Sequence, residues 1–99
     1  MDNYKLSEKA ATDLAELYEY GILTFGLSQA ESYFLGLHER FQILTENTKI
    51  GRPAIELAPH LRRFEYQSHV IFYQPEEAGV LIARVLREEM DFKKHFQAE

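Results

Sequence analysis

Leu14, Leu17, Tyr18, Gly21, Ile22 and Phe25 recur at intervals of three and four, with polar and charged residues between them. That period puts them on one face of an amphipathic helix. Ser7 stands before it as an N-cap, and Glu8 occupies the first turn, where the helix dipole favours an acid. Gly26 is the expected stop, because glycine tolerates the left-handed backbone a helix end demands. A second stripe follows at once, through Ala30, Phe34, Leu37, Phe41 and Leu44, widened by Tyr33 and Ile43. Ser28 and Glu31 read as its capping box. Two long helices joined by about two residues must run antiparallel.

Outside the helices the period changes. Tyr4-Lys5-Leu6 alternates and predicts a short edge strand. Asn47 to Pro59 is loop-like, broken by Gly51, Pro53 and Pro59. From Leu61 to Tyr66 the alternation puts Arg62, Phe64 and Tyr66 on one side and Arg63 and Glu65 on the other. Gln67-Ser68 is a tight connection to His69–Tyr73, apolar after its first residue as a central strand is. Pro75 to Gly79 reads as a turn, and Val80–Leu86 as a last strand interrupted only by Arg84. Met90, with Phe92 or Phe96, could anchor a short helix in the tail. The fold class is α+β: an N-terminal strand, an antiparallel helical hairpin, a three-strand antiparallel meander and a short C-terminal helix. Residues 1–99 suit one domain.

Charge changes the functional picture more than the structural one. The chain has 11 Lys+Arg against 16 Asp+Glu, a net charge of −5, and no cysteine. Disulfides, cysteine zinc sites and a cysteine nucleophile are therefore excluded. Residues 1–47 hold eight acids and three bases; residues 48–99 hold eight of each. Direct binding to nucleic acid is disfavoured for so acidic a chain, and any basic patch belongs to the second half. His38, His60, His69 and His95 lack metal-ligand spacing, so neither a metal nor a cofactor is expected. Glu88, Glu89 and Asp91 fit an acidic helix start better than a divalent site. Met1-Asp2-Asn3-Tyr4 does not read as a secretory leader, and no apolar run approaches the about 18 residues of a membrane span. A cytoplasmic protein without membrane contact is the expectation.

The ordered pieces also carry a resemblance. Leu6-Ser7 with Ala10 and Asp13-Leu14 opens the first helix, and Gly26 with Gln29-Ala30 and Tyr33 opens the second. Then come Ile50-Gly51-Arg52, Leu61-Arg62-Arg63-Phe64, His69-Val70-Ile71-Phe72-Tyr73, Ile82, Arg84-Val85-Leu86 and Met90-Asp91. Over almost its whole length the chain resembles the ParE branch of the RelE/ParE toxin superfamily. Arg87 stands where that family often has His, Asn47-Thr48 where it tends to have Asn-Pro, and Ala58-Pro59-His60 replaces its glycine-containing approach to the arginine pair.

The resemblance implies the toxin component of a type II toxin–antitoxin system. Such a toxin inhibits DNA gyrase, through the A subunit, by protein binding without enzymatic chemistry. A ParD-like antitoxin neutralises it in a toxin–antitoxin hetero-oligomer. The alternatives are a ribosome-dependent mRNA endonuclease of the RelE type and a non-toxic relative that still binds antitoxin, as Arg87 would allow. An endonuclease must deprotonate a 2′-hydroxyl and stabilise a phosphorane, for which His60, His69, Arg62, Arg63, Arg84, Arg87, Tyr73 and Glu65 are the candidates. Against it, Arg87-Glu88-Glu89-Met90-Asp91 sets three acids where a polyanion would approach. The expected target-binding residues are Arg62, Arg63, His69, Tyr73, Arg84 and Arg87; those for the antitoxin are Tyr18, Ile22, Phe25 and Tyr33. Each has a structural reading too. Arg62 and Arg63 could pair with Glu65 or Glu56, and His69 could be a hydrogen-bonded structural histidine. Arg84, a charge inside an apolar strand, could equally pair with a helix acid. The aromatic residues of the hairpin could simply face the core.

Overall fold

The computed structural model describes residues 3–96. The Met1-Asp2 opening and the last three residues of the single-domain span lie outside the described residues. The elements are β1 (Tyr4–Leu6), α1 (Glu8–Phe25), α2 (Leu27–Glu46), β2 (Arg52–Pro53), β3 (Arg62–Tyr66), β4 (His69–Glu76), β5 (Gly79–Arg87) and α3 (Phe92–Phe96). They build the expected α+β fold around a five-stranded sheet of order β1-β5-β4-β3-β2. β1 runs parallel to β5, and every other pairing is antiparallel.

The two faces of the sheet are covered differently. Ile71, Tyr73, Val80, Ile82 and Val85 face the hairpin and meet Leu14, Leu37, Phe41 and Leu44. Val70, Phe72 and Leu86 face the other way, where Ala54, Leu61, Met90, Phe92 and Phe96 close a second cluster. Continuous apolar runs in β4 and β5 have this cause: both of their faces are buried. The short helix α3 holds by two T-shaped contacts, with the rings of Phe92 and Phe96 each 5.0 Å from Phe72.

Local chemistry sets the element ends, with three corrections to the sequence reading. Ser7 caps α1 as expected, its Oγ accepting from the Ala10 N–H at 3.0 Å. Gly26 ends α1 at φ 94° and ψ 160°, a region essentially reserved for glycine. It also serves as the N-cap of α2, which starts at Leu27 with no side-chain cap. The Ser28–Glu31 capping box is therefore not formed, because the helix has already begun when the chain reaches Ser28. Pro75 lies in β4 and not in a turn. It pairs with Val80, whose N–H turns away from it to the Asn3 carbonyl, so this pair exchanges no hydrogen bonds and the missing proline N–H costs nothing. Finally, the loop after α2 contains a two-residue strand, β2, set against β3.

One irregularity positions the functional region. Phe72 pairs with Arg84 while Tyr73 pairs with Ile82, leaving Ala83 as the extra residue of a β-bulge. The bulge falls where β1 stops accompanying β5.

Candidate functional site

At the bulge the backbone loses its β1 partner, and the start of α1 supplies substitutes. Ser7 Oγ donates to the Ala83 carbonyl at 2.7 Å. Asp13, one turn into α1, accepts the Val85 N–H at 3.0 Å. Its two oxygens also accept from Arg84 Nε and Nη2 at 2.8 and 2.9 Å, a bidentate pair whose side chains are only 14% and 10% exposed. These bonds to Asp13 raise the guanidinium pKa, against the opposing effect of burial. Arg84 is thus held by a helix acid, as one of its two sequence readings had it.

Beyond this clamp a groove of about 620 Å³ opens between the hairpin and the end of β5. Leu17, Gly21, Phe25 and Tyr33 line it from the helices, and Leu86, Arg87 and Met90 from the sheet side. The hairpin outgrows the sheet here. Phe25 is 59% exposed and Leu23 82%, so the tip's apolar residues have nothing to pack on. Of the four residues expected to meet an antitoxin, Phe25 and Tyr33 border the groove. Ile22 is half-buried, and Tyr18 packs on Phe34 within the hairpin at 5.0 Å between ring centres.

Tyr33 crosses to the sheet. Its hydroxyl is hydrogen-bonded to His69 Nδ1 at 2.6 Å and lies 3.3 Å from the Tyr66 carbonyl. Burial raises the Tyr33 pKa. Burial likewise holds His69 below the ordinary histidine value, helped by Arg87 and opposed by Glu89. His38, edge-on to Phe34 and Phe41, is lowered by burial alone. In the unfolded chain both rings titrate near about 6.5. Below that pH the unfolded chain takes up protons the folded chain refuses, so stability should decline as pH falls below about 6.5 and level off once pH passes the lowered folded values. Thermal melts over that range check this, and a His38→Gln/His69→Gln double variant should show a flatter profile.

The other expected target residues are drawn into structural work to different degrees. Tyr73 is fully buried; its hydroxyl donates to the Thr48 carbonyl at 2.8 Å and accepts the Gly51 N–H at 2.9 Å. Arg62 donates from Nε and Nη2 to the Gly51 carbonyl at 3.0 and 2.6 Å and from Nη2 to that of Lys49 at 3.0 Å. Together they pin the loop after α2 to the sheet. Arg63 lies over the ring of Phe92, 5.2 Å from its centre, and pairs with Glu65 at 2.9 Å. Burial would raise the Glu65 pKa, but hydrogen bonds from Arg52 and Arg63 bring it below the ordinary value. Arg87 is the open member of the set, its side chain half exposed and 3.5 Å from Glu89.

The structure brings His69, Arg87 and Tyr33 together at one end of the groove; Arg62 and Tyr73 sit on the same face toward the opposite end of β3 and β4, and Arg63 is on the other face. Asp13, Leu17 and Met90 were not singled out as site residues from the sequence. Only the pairing of β1 with three residues of the longer β5 shows that a clamp and a groove must follow it.

Strand, helical hairpin and meander, with an arginine-bearing sheet and a groove beside the hairpin, form the α+β architecture that the resemblance to RelE/ParE toxins implied. Residues 4–92 match the family described as ParE toxin of type II toxin-antitoxin system, parDE, and the chain belongs to that family. It is similar to Toxin ParE1 of Caulobacter vibrioides, with 33% identity over 95 residues that cover 96% of this chain and 98% of the relative. Toxin ParE1 of Mycobacterium tuberculosis is 31% identical over 93 residues, 93% of this chain and 95% of the relative. A solved structure described as a chromosomal ParDE TA system from P. aeruginosa shares the fold, with a TM-score of 0.75 at 24% identity, covering 90% of this chain and 98% of that one. No helix among the described residues is long and apolar enough to cross a membrane.

Proposed function

We propose that this ParE toxin acts in the cytoplasm by binding DNA gyrase, through the A subunit, with no chemical step of its own, and that a ParD-like antitoxin neutralises it. The observation that carries the non-enzymatic reading is how the candidate catalytic groups are used. The Tyr73 hydroxyl and the Arg62 guanidinium are spent on backbone groups of the loop after α2, and Arg84 on Asp13. A general base or phosphorane clamp must keep its polar atoms free for substrate. Residues engaged in this way shape a surface instead of reacting. Arg87, half exposed and with His69 beside it, is then the accessible member of the target surface, while Arg63 is only 20% exposed and Arg62, Tyr73 and Arg84 hold the fold around it.

The net charge of −5 supports the same reading, since a ribosome-directed enzyme gains from a basic surface that steers it to RNA. The exposed apolar hairpin tip and the groove bordered by Phe25 and Tyr33 favour a protein partner, because large uncovered apolar patches mark such contacts. Tyr18, packed on Phe34, joins the two helices of the hairpin.

Purified protein added to gyrase should inhibit supercoiling and trap cleaved DNA, and equimolar antitoxin should abolish both effects. A ribosome-programmed RNA cleavage assay run in parallel should stay blank. RNA cleavage without gyrase inhibition would establish the RelE-type activity in its place. Silence in both assays, with antitoxin still bound, would mark a non-toxic relative.

A further inference from the structure

Residues 47–60 connect α2 to β3, and this connection is fastened at both ends although most of its residues are exposed. The Tyr73 hydroxyl, rooted in the core, accepts the Gly51 N–H and donates to the Thr48 carbonyl. Arg62 binds the carbonyls of Lys49 and Gly51. Farther on, the Ala54 N–H donates to the Leu61 carbonyl at 2.8 Å, and Ala54 is fully buried. Surface connections of this length are ordinarily the mobile parts of a fold. This one is ordered before any partner arrives, which is what strengthens a binding loop.

Gly51 and Ala54 are buried, whereas Lys49, Ile50, Arg52 and Ile55 are exposed, Ile50 at 50% and Ile55 at 71%. The local charge is the reverse of the chain's. From residue 49 to residue 65 there are four bases, Lys49, Arg52, Arg62 and Arg63, and two acids, Glu56 and Glu65, in a chain of net charge −5. Glu65 pairs with both Arg52 and Arg63. Arg62 directs its donors to carbonyls, which satisfies its hydrogen bonds and leaves its charge in place. Among the described residues Lys49 has no acidic partner either. A phosphate backbone would be met by bases alone. Ile50, Ile55 and Glu56, set among the bases, fit a protein instead.

We propose that this loop, through Lys49, Ile50 and Ile55, is a second point of attachment to the target besides Arg87, docking on an acidic and partly apolar surface of gyrase. The inference rests on the reading that gyrase is the target. Charge complementarity selects the acidic partner, since the unpaired Lys49 and the carbonyl-bound Arg62 leave the loop positive. The two exposed isoleucines supply the apolar area that a salt-screened charge contact lacks. The loop is also separate from the groove. No residue of 47–60 lines the groove, and Arg62, which holds the loop, lies toward the end of β3 and β4 away from Arg87. Changes in the loop can therefore be read without disturbing the groove.

Half-inhibition of gyrase supercoiling, measured for the unaltered toxin, Lys49→Glu and Ile55→Ser, tests the contact. Each variant should need about fivefold more protein, and the double variant about twentyfold more. Both side chains are exposed and outside the groove, so melting temperature and antitoxin affinity should stay unchanged. Added salt should weaken inhibition by the unaltered toxin more than by Lys49→Glu. Variants that inhibit as well as the unaltered toxin overturn the loop contact and leave the gyrase reading standing. Antitoxin affinity that falls in step with inhibition also overturns it, because the substitutions would then have disturbed the whole fold. Equal salt sensitivity overturns the acidic partner. Retention of bare DNA by the toxin, lost in Lys49→Glu, overturns the protein partner in favour of nucleic acid. An unaltered toxin that leaves gyrase untouched overturns both readings together.

Discussion

Asp13→Ala should destabilise the fold by about 3 kcal/mol, lowering the melting temperature by roughly 12 °C or more for a domain of this size. The substitution strands a largely buried guanidinium and a backbone N–H at once, since Arg84 and Val85 both depend on the same carboxylate. Breaking one side of such a pair is costly, because the remaining charge keeps its desolvation penalty and loses its compensation. Replacing both partners, as Asp13→Ala/Arg84→Met, removes that charge and should recover much of the loss. Urea unfolding of the two single variants and the double variant measures the coupling. Additive losses with no recovery would mean that the clamp contributes little. The experiment bears on function as well, because the clamp fixes the end of β5 from which Arg87 projects.

Gly51→Ala is the second large expected effect, about 2–3 kcal/mol. A methyl group at Gly51 would lie 2.5 Å from the Arg63 carbonyl oxygen and 2.8 Å from the Tyr73 ring and hydroxyl. The backbone oxygen cannot rotate aside as a side-chain end can. The loop must lift, and in lifting it detaches the Tyr73 hydroxyl from the Gly51 N–H and the Arg62 guanidinium from the Gly51 carbonyl. Tyr73→Phe, which leaves the loop in place and removes one hydroxyl, should cost less, about 1–2 kcal/mol. Thermal melts of the two variants compare them directly. Equal losses would show that the hydroxyl, and not the close approach, dominates at this point.

How much could be read beforehand differs from one element to the next. The two helices were legible because their apolar stripes repeat every three or four residues and their breaker, Gly26, is local. β4 and β5 were legible because strands buried on both faces are written as continuous apolar runs. β2 was not, because its two residues have no periodicity and exist as a strand only through β3. Pro75 misled for a related reason. Proline signals a turn unless its nitrogen happens to face away from the neighbouring strand, which the register alone decides.

The same division runs through the candidate site. By itself the sequence determined the α+β fold class, the order of the elements, the membership of the ParE toxin family and the acidic hairpin opposite a more neutral meander. All of these follow from short-range periodicity, composition and ordered motifs. Only the tertiary structure decided which arginines are spent and which are open. Arg84 meets a carboxylate 71 residues earlier, Arg62 is consumed by carbonyls of a loop, Tyr73 is turned into the core, and Arg87 is left half exposed at an unfinished strand. The physical reason is that a side chain's availability is set by its partners, and here those partners come from register, a bulge and a helix start far away in the chain.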